Sequence, residues 1–223
     1  MDAAEIMQDK GSVPTHASTE TQRPMSHVRP RKQTSMSLTH PRAVPLPPES
    51  RIAAVYAQVN LADAYAIDLP PGTTRSPEAL ARFVFAHQPL WISILMRIRD
   101  ALVAGLGLKT ARSLSSVGAA GSRIGIFKVY EANSVEVLMG EDDKHLDFRA
   151  SALYQPAVRP GADSARLVLS TVVHCHNTLG RGYFGLIAPF HRLVVKSYLR
   201  HAAKIGWPGE DGVSPSAFRS AGF

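Results

Sequence analysis

Two histidines flank the single cysteine of the chain, in the order His174-Cys175-His176. The surrounding residues are rich in β-branched side chains and predict a strand. The two imidazoles would then project from one face, about 7 Å apart, while Cys175 points to the other. They could chelate zinc if His145 or His191 supplied a third ligand. The ordinary alternative is a pair of hydrogen-bonded histidines at the end of a strand.

The preceding predicted strand, 145–154, carries a second polar set. His145, Asp147 and Arg149 alternate with apolar residues and therefore share one face. An aspartate and an arginine two positions apart on a strand commonly form a surface ion pair, which contributes only ~0–1 kcal/mol. The alternative is that the guanidinium group of Arg149 binds the acidic head group of a ligand.

The predicted C-terminal helix contributes one more candidate, His191, at the margin of its apolar face. An imidazole titrates near neutral pH, so His191 or His174 could serve as a general base. The alternative for His191 is a core-edge histidine that is hydrogen-bonded to a carbonyl group. Cys175 has no base near it in the sequence, so we expect a buried, inert thiol. The sequence contains no nucleophile-elbow, zinc-protease or dinucleotide-binding motif.

Apolar periodicity and turn residues predict the elements that must position these side chains. Helices are predicted at 76–85, from Pro89 onward, and at 184–204. Strands are predicted at 64–69, 124–132, 135–140, 145–154 and 165–176, with a further short strand at 113–116. Short turns between consecutive strands imply an antiparallel sheet, and the long helix is its obvious cover. The fold class is therefore α+β.

Each of the two longer helices has one apolar face that we expect to be buried. On the second helix this face consists of Trp91, Ile94, Leu95, Ile98, Leu102 and Leu106. On the C-terminal helix it consists of Ile187, Phe190, Val194 and Tyr198. Basic residues four apart form a solvated ridge on that same helix, at Arg192, Lys196, Arg200 and Lys204.

Composition divides the chain into a folded domain at 51–207 and two flexible tails. Residues 1–50 are rich in Ser, Thr, Pro and Gln and predict disorder, and 208–223 predict a loose tail. The formal net charge is +7, and the tail 1–50 holds six basic against five acidic residues, so the basic surplus belongs to the domain.

Composition and motifs also exclude several classes of protein. No basic run interleaved with aromatic residues occurs, so we expect no nucleic acid partner. No apolar run reaches the length of a transmembrane segment, and the N-terminus does not resemble a signal peptide. A single cysteine suits a reducing compartment, and we expect a cytoplasmic protein.

Three segments carry a family resemblance: IGIFKVYEANSVEVLMG (124–140), GEDDKHLDFRASALY (140–154) and TVVHCHNTLGRGYFGLIAPFHRLVVKSYL (171–199). Together they resemble the bacterial domain-of-unknown-function family 2867, over roughly residues 50–207. That family is similar to the START/polyketide-cyclase superfamily. The resemblance implies a helix-grip fold, a curved antiparallel sheet wrapped around a long C-terminal helix, with two short helices after the first strand. It implies no activity and no catalytic residue.

These observations favour a protein that binds a small hydrophobic or amphipathic ligand in a cavity between the sheet and the C-terminal helix. The expected apolar wall is Trp91, Leu95, Phe127, Phe148, Phe190 and Val194. The expected polar end is His145, Arg149, His174 and His176. Two alternatives remain: a cyclase, dehydratase or isomerase that uses His174 or His191, and a non-catalytic module that binds a partner. No cofactor is expected, and the oligomeric state is left open.

Overall fold

The computed structural model of the protein describes residues 38–103, 122–159 and 164–210. In chain order its strands, β1 to β7, are Arg42–Val44, Leu61–Asp68, Arg123–Ile124, Phe127–Ala132, Glu136–Asp142, Leu146–Gln155 and Arg166–Cys175. They form one curved antiparallel sheet in the spatial order β1-β2-β7-β6-β5-β4-β3. The predicted α+β class and helix-grip arrangement are confirmed. The strand predicted at 113–116 lies outside the described residues.

Three α-helices accompany the sheet in the described part of the chain: α1 (Pro77–Ala86), α2 (Leu90–Val103) and α3 (Thr178–Ile205). The start of α1 is as predicted, since the Ser76 side chain accepts a hydrogen bond from Ala79 N and Pro77 occupies the first turn. A short 3-10 helix, Arg51–Ala54, precedes β2.

Helix α3 begins six residues earlier than predicted, and the segment expected to be a loop before it forms its first turns. Asn177 caps the helix, because its side-chain oxygen accepts a hydrogen bond from Gly180 N at 2.9 Å. A Cβ on residue 180 would lie 2.0 Å from the carbonyl oxygen of His145, so only glycine lets the helix start this close to the sheet. Pro189 lies inside the helix and does not mark its start.

The helices cover one face of the sheet, which we call the helix-facing side. Leu80 and Val84 of α1 and Leu199 and Ala202 of α3 are fully buried there, against residues such as Met139 of β5. Register places Asp63, Thr171, Ala150 and Met139 in one row across β2, β7, β6 and β5 on this side. Burial of these apolar side chains supplies most of the driving force for folding.

The other face of the sheet, the outer side, is covered by residues 42–58, which we call the N-terminal cover. Strand β1 pairs with β2, and Arg42 forms an ion pair with Asp68 at 2.9 Å. Leu46 and Ile52 pack on apolar residues of the outer side. The prediction of disorder up to residue 50 was therefore wrong for this stretch. Prolines look like a linker in composition, yet they are compatible with an extended segment at a sheet edge.

A buried carboxylate holds the N-terminal cover on the sheet. Glu136 of β5 accepts hydrogen bonds from the hydroxyl groups of Ser50 and Ser151 and, at 3.0 Å, from the backbone N–H of Arg51. Glu136, Ser50 and Ser151 are all buried. A buried carboxylate is tolerated when hydrogen bonds replace its lost hydration, so this contact specifies where the cover docks.

Candidate functional site

A carboxylate–imidazole pair lies between the sheet and the long helix. Asp63 of β2 points to the helix-facing side, and its Oδ1 lies 3.3 Å from Nε2 of His191 on α3. Both side chains are largely buried. His191 reaches this position because it continues the stripe of Ile187 and Val195, four residues before and after it, which packs toward the sheet. A carboxylate in this position orients the imidazole ring.

The second oxygen of Asp63, Oδ2, is buried and has no hydrogen-bond partner among the described residues. Tyr65 lies two residues along the same strand, and its pKa is raised chiefly by burial, then by the charge of Asp63 and by hydrogen bonding to the Asp63 side chain. Lys196 of α3 lies over the Tyr65 ring, with Nζ 5.3 Å from its centroid. A buried acceptor without a donor is unusual, and it marks a position where a bound group could donate a hydrogen bond.

An aromatic row runs across the helix-facing side. Ring centroids of Phe148 and Phe127 are 5.5 Å apart, those of Phe127 and Phe85 are 5.3 Å apart, and those of Phe85 and Tyr198 are 5.3 Å apart. All three contacts are edge-to-face, a favourable geometry for such rings. The row joins the sheet to α1 and α3.

Part of this row is open to solvent. Phe127, Phe148 and Ala150 are only partly buried. Phe148 and Ala150 belong to β6, which lies in the middle of the sheet with three strands on either side. Helices packed on β6 without a gap would bury both side chains completely. We call this partly exposed surface beneath the helices the helix-side cleft. Its floor is Phe148 and Ala150, and the Asp63–His191 pair lies on its β2 side.

A different polar cluster occupies the outer side. The guanidinium group of Arg149 lies 3.7 Å from the ring centroid of Tyr130 and 5.7 Å from that of Tyr56, and it forms an ion pair with Asp142 at 2.7 Å. Tyr130 also donates a hydrogen bond to Asp142, at 2.7 Å. The guanidinium group is thus held between two aromatic rings and a carboxylate.

Burial and charge shift the ionisation of this cluster. Burial raises the pKa of Tyr56 to about 12 even though Arg149 opposes the shift. Burial and a hydrogen bond to Asp142 raise the pKa of Tyr130 further. Burial alone would raise the pKa of Asp142, but hydrogen bonds from Arg149 and Tyr130 outweigh it and lower the pKa. At neutral pH the cluster therefore holds one cation, one anion and two neutral phenols.

The histidines predicted to form the polar end of the cavity do not lie in the helix-side cleft. His174 stacks on Tyr56 and its Nδ1 lies 2.8 Å from the carbonyl oxygen of Gln58, so it contacts the N-terminal cover. His176 pairs with Asp147 at 3.0 Å. The Nδ1 of His145 lies 3.0 Å from the side-chain amide of Asn177, beside the start of α3.

The strand alternation explains this separation. Arg149 pairs with Val172, and His174 pairs with Asp147, two residues away on the same two strands. Both side chains therefore point to the outer side. His191 lies on the opposite side of the sheet and cannot complete a metal site with His174 and His176. In the parts of the chain that the structure describes, no group of three or more His, Cys, Asp or Glu side chains is arranged to hold a metal ion.

The predicted apolar wall is only partly assembled. Phe127 and Phe148 meet in the aromatic row, and Leu95 and Val194 are half-buried. Trp91 and Phe190 face outward. The expected buried faces of α2 and α3 were therefore wrong at these positions: α3 is rotated so that His191 and Val195, not Phe190, turn toward the sheet. Periodicity identifies an apolar face but does not show what that face packs against.

Asp63 is the site residue that the sequence analysis missed. The first strand was predicted to begin at Ala64, so the aspartate looked like part of the preceding turn. Asp63 lies two residues before Tyr65 and four before Ile67, and this spacing places it on the same face as two core side chains. An acidic residue in phase with the buried positions of a strand was the signal that could have revealed it.

A cavity of about 270 Å³ lies on the outer side, at the other end of the sheet from the Arg149 cluster. It is lined by residues 44–49 of the N-terminal cover and by Ala66, Gln155, Arg166 and Val168. None of the predicted ligand-binding residues lines it. The Gln155 side chain donates a hydrogen bond to Glu49 at 2.6 Å, which holds one wall in place.

Among the described residues no single helix is both long and apolar enough to cross a bilayer, and only α1 and Leu90–Ile98 counted together, across a 78° bend, reach that length.

Comparison with known proteins places the chain in one family. No curated protein matches the sequence. A family model described as "Protein of unknown function (DUF2867)" matches residues 55–198, which run from the end of the N-terminal cover into α3. The match covers well over half of the chain and includes both polar clusters. The chain therefore belongs to the DUF2867 family.

Proposed function

We propose that this protein binds a small hydrophobic or amphipathic ligand in the helix-side cleft. The apolar part of the ligand would contact the partly exposed rings of Phe148 and Phe127. Its polar group would lie against Asp63 and His191. The observation that carries this proposal is the buried, unpartnered Oδ2 of Asp63 beside an open aromatic surface. Ligand sites are commonly apolar surfaces with a few such placed polar groups.

The chemistry of Asp63 indicates which polar groups would fit. An ionised carboxylate only accepts hydrogen bonds, so the ligand should donate one, as a hydroxyl or amine group does. A ligand carboxylate would place a second negative charge beside Asp63 and would be disfavoured. We therefore expect long-chain alcohols or amines to bind, and the matching carboxylic acids to bind much more weakly.

The similarity of the family to the START/polyketide-cyclase superfamily supports the location of the cleft. In helix-grip proteins an apolar space between the sheet and the C-terminal helix is a recurrent feature. This support is an analogy at the level of the fold, and it does not identify a ligand.

The test is competition against a neutral fluorescent probe, N-phenyl-1-naphthylamine, by dodecanol, dodecylamine and dodecanoate. The wild-type protein should bind the probe and release it to dodecanol and dodecylamine, but not to dodecanoate at the same concentration. Asp63→Leu should weaken dodecanol binding by about tenfold, the value of a hydrogen bond to a charged group. It should leave probe affinity almost unchanged.

Phe148→Ala should weaken both the probe and the alcohol, because it removes apolar contact area. Asp147→Asn is the matched control, since Asp147 is a partly buried aspartate that also pairs with a histidine but lies on the outer side. If the protein does not bind the probe, or if Asp147→Asn acts like Asp63→Leu, the cleft is not the binding site.

The Asp63–His191 pair also favours a second candidate function, an enzyme of the cyclase, dehydratase or isomerase type. His191 would be the general base, with Asp63 as its orienting carboxylate. His174 is less suited to this role, because its Nδ1 contacts the Gln58 carbonyl and its ring stacks on Tyr56.

Native mass spectrometry separates catalysis from binding. Wild-type protein and His191→Ala would each be purified from the same cells and examined for bound small molecules. If the protein is a dehydratase, the variant should retain a compound that is heavier by one water molecule than the compound bound to the wild type. A carrier predicts the same compound in both proteins, with lower occupancy in the variant.

A further inference from the structure

Helix α3 exposes large apolar side chains on a face turned away from the sheet. Leu186, Phe190 and Leu193 are 59%, 47% and 56% exposed, respectively. Their spacing of four and three residues places them on one side of the helix, in a continuous stripe. We call it the α3 stripe. Single exposed apolar residues are common on proteins, but an aligned stripe on one helix indicates a surface that binds something.

Helix α2 shows the same pattern. Leu90, Ile94 and Ile98 recur every four residues and are all exposed, and Trp91 beside them is 42% exposed. The one fully buried side chain among the described residues of this helix is Ile92. Two amphipathic helices of one protein thus leave apolar faces without a partner in the described structure.

The charge of α3 indicates the kind of partner. The helix contains no acidic residue, and its basic residues are Arg181, Arg192, Lys196, Arg200 and Lys204. Arg192 is exposed beside the C-terminal end of the α3 stripe, and Arg200, which is also exposed, lies seven residues after Leu193 and so continues the same face. A helix with exposed leucine and phenylalanine beside a basic ridge has the composition of helices that lie in the headgroup region of a bilayer.

We propose that this protein docks on anionic lipid surfaces as a peripheral membrane protein, through the α3 stripe and the exposed face of α2. Leucine, phenylalanine and tryptophan side chains would enter the interface, and the basic ridge would contact lipid phosphates. A second copy of the chain fits less well, because a symmetric contact would bring the two basic ridges together. The proposal does not depend on the helix-side cleft holding a ligand.

The test is co-sedimentation of the full chain with vesicles, together with tryptophan fluorescence. Vesicles of phosphatidylcholine mixed with phosphatidylserine should bind the protein, and vesicles of phosphatidylcholine alone should bind much less. Trp91 should shift to shorter emission wavelengths on binding, while Trp207, which is only 2% exposed, should not respond. Trp91→Phe should therefore abolish the shift without preventing sedimentation.

The triple variant Leu186→Ser, Phe190→Ser, Leu193→Ser should lower vesicle affinity by about tenfold or more, since three apolar side chains no longer enter the interface. Arg200→Ala, which removes an exposed cation of the basic ridge, should lower it by about fivefold at low salt. The control variant Val135→Ser, Val158→Ser removes two exposed apolar residues from bends beside the sheet and should bind as the wild type does. Circular dichroism would verify that each variant is folded.

Two results would overturn the proposal. One is sedimentation that does not depend on phosphatidylserine or on the α3 stripe. The other is a wild-type dimer, seen by light scattering, that the triple serine variant converts to a monomer while neither protein binds vesicles. The second result would assign the stripe to contact between copies of the chain.

Discussion

At the scale of single residues, Gly180 decides how closely α3 approaches the sheet. Gly180→Ala would place a methyl group 2.0 Å from the His145 carbonyl oxygen, and backbone must move to relieve that contact. We expect a loss of about 1–3 kcal/mol in the free energy of unfolding. Gly182→Ala, on the same turn but with nothing within 4 Å of its Cβ, should instead gain about 0.5–1 kcal/mol. Urea unfolding of the two variants measures both effects.

Tyr198 gives a prediction for alkaline pH. Burial raises its pKa from 10.0 to about 12, and its hydroxyl donates a hydrogen bond to Gln88 at 2.9 Å. In the unfolded chain the phenol ionises near its ordinary value, so ionisation favours unfolding as pH rises from about 10 to about 12. The stabilisation by neutral Tyr198 is fully present below about pH 10 and is lost as the pH rises to about 12.

Urea unfolding of wild type and Tyr198→Phe through this pH range isolates the effect from that of the other tyrosines. The stability of the variant should fall less steeply with pH than that of the wild type. Parallel curves would show that the Tyr198 hydroxyl does not ionise differently in the folded and unfolded chain.

The residues of the candidate site show what a sequence can and cannot specify at this scale. His191 was identified from its position on the helix, and Phe127 and Phe148 from their strands. Asp63 was not, because its role depends on where β2 begins. His174 and Arg149 were expected to lie with these residues but lie on the outer side, because alternation shows which residues share a face but not which face the helix covers.

At the scale of elements, the N-terminal cover depends on Glu136. Glu136→Ala would leave the buried hydroxyl of Ser50 and the N–H of Arg51 without their acceptor, and we expect a loss of about 3 kcal/mol. Proteolysis within residues 42–58 should become faster, because the cover would open more often. Chemical unfolding and timed digestion would measure the two effects.

Glu131→Ala is the control for this change. Glu131 pairs with Arg51 too, but both side chains are largely exposed, so the loss should be about 0–1 kcal/mol. Similar losses in the two variants would mean that the buried carboxylate does not anchor the cover.

The elements themselves were largely predictable. Local sequence was enough to predict the start of α1, from Ser-Pro-Glu, and the strand β7, from its β-branched residues. Tertiary contacts only reinforce these preferences. The start of α3 was misplaced because Gly180 and Gly182 resemble a loop, and the reason for Gly180 is a contact with β6 that lies far away in sequence. The buried faces of α2 and α3 were misassigned because they too depend on contacts with residues far away in sequence.

At the scale of the whole molecule, the folded unit extends beyond the family match. The match begins at residue 55, yet the outer side of the sheet is covered by residues before it. A chain beginning at residue 55 would expose Ala66, Leu153 and Val168, and Glu136 would lose its hydrogen bonds from Ser50 and Arg51. We expect a lower thermal midpoint and greater aggregation than for the full chain. A chain beginning at residue 38 is the control and should keep the midpoint, and equal midpoints for both truncations would contradict this.

The fold class and the order of its helices and strands could be predicted from the sequence, but the layer on the outer side of the sheet could not. Strands joined by short turns made an antiparallel sheet with a helical cover predictable. The third layer, residues 42–58, is built from prolines and polar residues whose burial depends on one carboxylate and a few apolar anchors. Composition alone therefore placed residues 42–50 in a tail.

The sheet narrows toward its margins. Strands β6 and β7 at its centre have ten residues each, whereas the terminal strands β1 and β3 have three and two. Each terminal strand also carries an arginine, Arg42 or Arg123. A foreign strand that approached either margin would find few open amide and carbonyl groups, beside a bulky arginine that is already ion-paired within the sheet. The protein is thereby guarded against polymerising into strand-stacked fibres, even at the high concentrations at which an exposed apolar helix face would drive molecules together.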